Sequence, residues 1–355
     1  MPPDRPKPAA PSTQAPATTT PAAPDRPRAV MQRGHARWVA ADWNELPGWG
    51  EDHASELWPA LLRGCARPAP GWAELCARAL LTPPADDAEA AIWLMQHLQP
   101  WQVQAPDGET QGLMTGYFEP ALEARRKPDA SFRVPLLAAP QDPKQRLATR
   151  QQIESEPLRS KLRPLAWIED PIDLQVLQIQ GSGRIRLADG EWRRVAFGGH
   201  NEQLLKPLGI ALAEMGEWRG EGGAAPRAYV REWAQRNPQR LNELLWRNPR
   251  YVFFSEEALP DPSVGPRGGQ GVPLTPGRSV AVDKESVPYG TPVWLDSREP
   301  PPGNAPLRRL AMAQDTGSAI VGAVRVDYFW GWGELAEAQA SKTKQPLRLW
   351  VLWPR

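Results

Sequence analysis

The chain has 355 residues, enough for one large or two ordinary domains, and its 42 basic and 41 acidic side chains leave a formal charge of +1. That balance, with no run of Lys or Arg, excludes nucleic acid as the dominant partner. No stretch approaches the ~18 apolar residues of a membrane-spanning helix, and four scattered histidines with two cysteines give no metal-ligand spacing, so neither metal nor cofactor is expected.

Residues 1–29 hold nine prolines among Ala and Thr, and 1–30 read as a disordered tail that cannot pack. The tail lacks the apolar h-region of a signal peptide, so export would need a signal upstream of this chain. Apolar spacing of three to four predicts helices over 54–64, 71–81 and 86–98, the last N-capped by Asp86. Cys65 and Cys76 flank the loop between the first two, where a bridge and two unrelated core cysteines are equally open readings. The texture then turns β-like over 112–122, 173–197 and 250–255, with Asp189-Gly190 as a hairpin signal. Helix returns over 226–248, broken near Pro238, before a Gly/Pro-rich loop over 259–277. The last 80 residues read as short strands of a compact all-β unit. Seventeen Trp against six Phe and five Tyr fit either sugar stacking or core filling.

The chemistry candidates are acidic. Asp315 opens an Asp-Thr-Gly-Ser tetrapeptide, which in pepsin-like proteases surrounds a catalytic carboxylate. A protease dyad needs two carboxylates about 3 Å apart sharing a proton, each from its own such motif, and the chain has one motif. Asp327 follows, ahead of Tyr328, Phe329 and Trp330. On a strand over 321–330 it shares a face with Arg325 and Phe329: aromatic burial would raise its pKa and Arg325 would lower it, an opposition left open by the sequence. Asp283 ends another alternating strand, before a turn at Pro288 and Gly290.

The segment 271–333 resembles the domain named for its three aspartates, which here are Asp283, Asp315 and Asp327. Upstream, "MTGYFEP" (114–120), "WIEDPIDLQVLQIQGSGRIRL" (167–187), "FGGHN" (197–201), "NPRYVFF" (248–254) and "GVPLTPGRSVAVD" (271–283) resemble, in order, blocks of the membrane-bound lytic murein transglycosylase A family. "FGGHN" departs from the family's form and leaves the role of His200 open. The resemblance implies a mainly β fold with N-terminal helices: a double-psi β-barrel domain from 31–120 and 251–355, and an inserted β-rich substrate-binding domain over 121–250, with a groove between. It implies a lytic exotransglycosylase that cleaves the β-1,4 bond between N-acetylmuramic acid and N-acetylglucosamine in peptidoglycan, leaving 1,6-anhydromuramoyl ends. Asp327 would be the single acid/base, with Asp315 and Asp283 assisting. Substrate contacts would come from Thr115, Tyr117 and Glu119 on one strand face, and from Gln180, Ser182, Gly183, Asn201, Tyr251 and Trp330. Glu119 is the rival acid, ranked below Asp327. The implied partners are glycan strands and cell-wall enzyme complexes, in the periplasm at the outer membrane, with a lipid anchor outside this chain. A non-catalytic peptidoglycan-binding module on the same barrel is the alternative reading.

Overall fold

The computed structural model describes residues 28–355. The proline-rich tail lies outside the described residues as far as 27, and Val30 already opens the first strand. The chain forms a hairpin of β1 (Val30–Arg33) and β2 (Ala36–Ala40). Three helices, Trp58–Cys65, Ala73–Leu81 and Asp87–His97, fall where periodicity predicts them. The Asp86 carboxylate accepts the Glu89 N–H at 2.9 Å, as an N-cap should. Cys65 and Cys76 are joined in a disulfide that ties the first of these helices to the second.

β3 (Leu98–Gln104) and β4 (Gly112–Glu119) follow, then β5 (Ala121–Glu123), β6 (Val134–Leu137), β7 (Pro164–Ile168), β8 (Gly183–Arg186), β9 (Trp192–His200) and β10 (Val252–Ala258). The C-terminal part supplies β11 (Ser279–Val282), β12 (Thr291–Arg298), β13 (Pro306–Asp315), β14 (Arg325–Trp332) and β15 (Lys344–Pro354). Strands β15, β12, β13, β11, β14 and β4 pair in sequence, and β15 pairs back onto β4, so these six close into a ring. Two of its pairings, β11 with β13 and β14 with β4, are parallel. Inward-facing Met114, Val280, Val293, Ala311, Val326, Tyr328 and Leu349 fill it.

The N-terminal helices pack outside this ring, on Trp294, Leu310, Met312 and Trp350. Tryptophans meet there in edge contacts, Trp58 with Trp93 and Trp49 with Trp294, so much of the Trp excess serves packing. A second sheet, in the order β10-β9-β8-β5, and the β6–β7 pair are built from the middle of the chain. The Asp-Gly hairpin closes between β8 and β9 with Leu187 N–H donating to the Glu191 carbonyl at 2.9 Å.

The β-like reading of 173–197 fails over its first part. Pro171–Gln180 is an α-helix: Asp170 caps it, Pro171 takes the first turn, and Gly181 ends it at φ +83°, a conformation that favours glycine. Its apolar residues alternate because the helix is buried nearly all round, with Gln175 and Gln178 inside as well as Leu174 and Leu177. The all-β reading of the C-terminal part likewise misses the helix Gly333–Ala340, which packs on β4 and β14.

Candidate active site

The ring places its chemistry where β4, β11, β13 and β14 meet. Thr115 lies opposite Asp327 in the parallel β4–β14 register, and Ala281 of β11 registers with both Asp315 and Asp327. Both carboxylates, half-buried, therefore stand at neighbouring strand positions on either side of a small residue.

Their surroundings differ. Asp315 is saturated: one oxygen accepts the N–H groups of Gly269 at 2.8 Å and Thr316 at 2.9 Å, the other the Tyr117 hydroxyl at 2.8 Å. Burial nevertheless pushes its pKa up to about 6, these donors opposing. Gly268 makes the Gly269 contact possible, because a Cβ there would come 2.5 Å from the Gln314 carbonyl oxygen. Asp327 accepts a single side-chain hydrogen bond, from the Thr115 hydroxyl at 2.5 Å. Burial raises its pKa, against that hydrogen bond and against Arg325. The opposition left open by the sequence is thus decided for burial. Arg325 is itself desolvated and donates to the Val326 carbonyl at 2.6 Å. Tyr117 packs on Phe329 with ring centroids 5.1 Å apart and is held neutral by burial beside the two acids. No hydrogen bond joins Asp315 to Asp327 among the described residues, so the shared-proton dyad of a protease is not built.

A cleft of about 540 Å³ opens at Asp315, while Asp327 and Thr115 stand behind that wall, outside its lining. Tyr117, Gly268, Gly269 and Asp315–Ser318 line it from the ring; Gln178–Ser182, Phe197, His200 and Arg250 line it from the middle of the chain. Gln180 and Ser182 therefore stand where the sequence puts them, in the lining, although the Gln180 side chain also accepts the Phe118 N–H at 2.9 Å.

Other expected contacts do not reach the cleft. Glu119 is fully buried, its carboxylate 2.6 Å from both Arg184 Nε and Arg194 Nε, so it is an ion-pair anchor rather than a groove residue or rival acid. The alternation that put it beside Thr115 and Tyr117 carries it, at the end of β4, under the second sheet. Asn201 is buried and spends its amide on the Ala148 and Pro249 carbonyls and the Tyr251 N–H. Tyr251 is buried beneath the Arg150 guanidinium, 4.9 Å from ring centroid to Cζ. Gly183 is buried in β8, where a Cβ would come 2.3 Å from Leu177. Trp330 turns away to the Thr343 hydroxyl at 3.0 Å and packs on Tyr328.

Asp283 is buried too, with one oxygen accepting the Gly322 N–H at 2.9 Å and lying 2.7 Å from His35 Nδ1. It thus ties the loop between Asp315 and Asp327 to the β1–β2 hairpin, one step removed from the two acids. Phe197, Arg250 and Arg267 line the cleft without having been anticipated. Their one signal in the sequence was that Phe197 and Arg250 fall inside the blocks "FGGHN" and "NPRYVFF".

Residues 113–255 match the MltA specific insert domain and residues 278–353 match the 3D domain. The membrane-bound lytic murein transglycosylase A of Vibrio cholerae is 31% identical over 257 residues, 70% of this chain and 68% of that protein. Among solved structures, the lytic transglycosylase LtgG of Burkholderia pseudomallei is 40% identical with a TM-score of 0.65, covering 91% of this chain and 97% of that one. MltA from Neisseria gonorrhoeae is 29% identical with a TM-score of 0.81, covering 93% and 96%.

Proposed function

This chain belongs to the membrane-bound lytic murein transglycosylase A family, and we propose that it cleaves the β-1,4 bond between N-acetylmuramic acid and N-acetylglucosamine in peptidoglycan with Asp327 as its only proton carrier. The observation that carries the assignment is the contrast between the two acids. Burial raises the pKa of both half-buried acids, but Asp315 is held by three donors, whereas Asp327 accepts one hydrogen bond among the described residues, from Thr115.

A hydrolase needs a second carboxylate to activate water or attack carbon. Here the muramoyl 6-hydroxyl serves as the nucleophile, in an intramolecular step favoured by proximity. Protonated Asp327 gives its proton to the leaving glycosidic oxygen, then as carboxylate takes the proton of the 6-hydroxyl, closing the 1,6-anhydro ring. Tyr117 and Asp315 fix the wall against which the sugar lies, and Thr115 orients the acid.

The six-stranded ring with its two parallel pairings supports a double-psi barrel formed by 31–120 and 251–355, with 121–250 as the inserted substrate domain and the cleft as the glycan groove. The Cys65–Cys76 bridge supports an oxidising compartment, the periplasm, and the membrane-bound relatives support attachment at the outer membrane. Digestion of purified sacculi followed by mass spectrometry tests the reaction. Muropeptides ending in 1,6-anhydromuramic acid are expected; reducing ends would mean hydrolysis, and intact sacculi with bound protein would mean a non-catalytic binder.

A further inference from the structure

Ion pairs absorb much of this protein's arginine, including buried Arg184, Arg194 and Arg278. Two arginines of the cleft are different. Arg250 and Arg267 both line it, Arg250 following the helix Leu241–Leu245 and Arg267 in the loop before β11, and neither has a carboxylate within salt-bridge distance among the described residues. Arg250 is half-buried and donates to the Gln203 carbonyl at 3.2 Å; Arg267 is exposed and donates to the Gly271 carbonyl at 3.2 Å. Each guanidinium has five N–H donors, so most of both forks stay unused. The same lining carries Phe197, 53% exposed, with His200 at a ring separation of 6.1 Å. Glu257 is the one carboxylate besides Asp315 in that lining.

A half-buried cation without an anionic partner is costly unless a ligand supplies one. The glycan backbone is neutral apart from its lactyl groups, whereas the peptide stem hanging from each muramoyl unit carries several carboxylates. Resting on the peptidoglycan reading above, we propose that Arg250 and Arg267 form a subsite for carboxylates of the peptide stem, with Phe197 as the apolar platform beside it. The local field agrees: burial lowers the Arg250 pKa with no acid compensating, and Arg250 and Arg146 help depress that of His200, with Glu202 opposing. Arginine suits this task because its planar fork grips a carboxylate in two places.

Equilibrium binding decides the matter without requiring turnover. In the Asp327→Asn background, the full chain is titrated with stem-bearing glycan strands and with strands stripped of peptide by an amidase, whose freed lactyl carboxylates are then capped as neutral methylamides. Stem-bearing strands should bind at least about tenfold more tightly at low salt, as expected for one or more charge-assisted hydrogen bonds, and the gap should narrow as salt screens it. Arg250→Gln and Arg267→Gln should each shrink the gap, and the double substitution should close it. Arg267 is exposed, so its replacement reports on binding rather than folding. Equal affinity for the two strands, or a gap that survives both substitutions, overturns the subsite. The lyase reading fails separately, through the absence of anhydro ends from the wild-type chain.

Discussion

Among the described residues the Thr115 hydroxyl alone hydrogen-bonds the Asp327 side chain, and it favours the ionised acid. Thr115→Val keeps the strand and the shape but removes that donor. The acid should then hold its proton to higher pH, moving the alkaline limb of the kcat/KM profile upward by on the order of one unit. An unmoved limb would mean that another group sets it. Asp315 makes a different prediction. With its pKa raised to about 6, the folded state binds a proton that the unfolded chain has released. Its contribution to stability is therefore complete below the ordinary carboxylate range and lost as pH rises through about 6. Asp315→Asn removes this dependence, so the stability difference between wild type and variant should move in the variant's favour by about 2 kcal/mol between pH 4 and 7. Denaturant titrations of both chains across that range give the number. The aspartates themselves were legible as candidates from aromatic and glycine neighbours. Their division of labour came only from the family resemblance and not from local pattern, because its physical basis lies in Gly269, Thr316 and Tyr117, which reach Asp315 only once the ring closes.

Among the elements, β4 shows how far local pattern carries. Thr115 and Tyr117 face the acids as period-two alternation predicts, and the same rule put Glu119 beside them. Glu119 instead passes beneath β8 and β9, where Arg184 and Arg194 close on it and reach on to the Val264 carbonyl, with Trp332 3.8 Å from the Arg184 guanidinium. This buried triad links the strand bearing Thr115 and Tyr117 to the second sheet and to the loop leading back to the ring. Glu119→Gln leaves two buried guanidinium groups without their counter-charge and should cost about 3–5 kcal/mol. Thermal unfolding should show a large fall in Tm, while the pH dependence of the remaining activity stays with Asp327. A near-neutral Tm would contradict the anchor role. The helix Pro171–Gln180 was hidden for a related reason. Its Gln175 and Gln178 are buried by tertiary partners, Asn248, Arg150 and the Val252 carbonyl, so its polarity pattern imitates a strand. Asp170-Pro171 and Gly181 were nevertheless the local marks of its ends.

For the whole molecule, the ring needs a strand from before the second sheet, β4, and five from after it. Chain order alone does not reveal that closure. Resemblance of separated sequence blocks led to the expectation of a barrel built from both ends of the chain, and helical periodicity marked the N-terminal helices without showing that they pack on the ring. The cleft then arises between the ring wall that bears Tyr117 and Asp315 and the wall built from the middle of the chain. In the proposed mechanism a single carboxylate, Asp327, both gives and takes the proton. Turnover of purified sacculi by Asp327→Asn, read as release of soluble 1,6-anhydro-muropeptides beside retained sacculus binding, tests it most directly. A fall of about 10²–10⁴-fold with binding intact is predicted, the share that general acid–base catalysis supplies. A variant that binds as well and keeps more than about a tenth of wild-type turnover would contradict the account, because no lost general acid leaves that much behind.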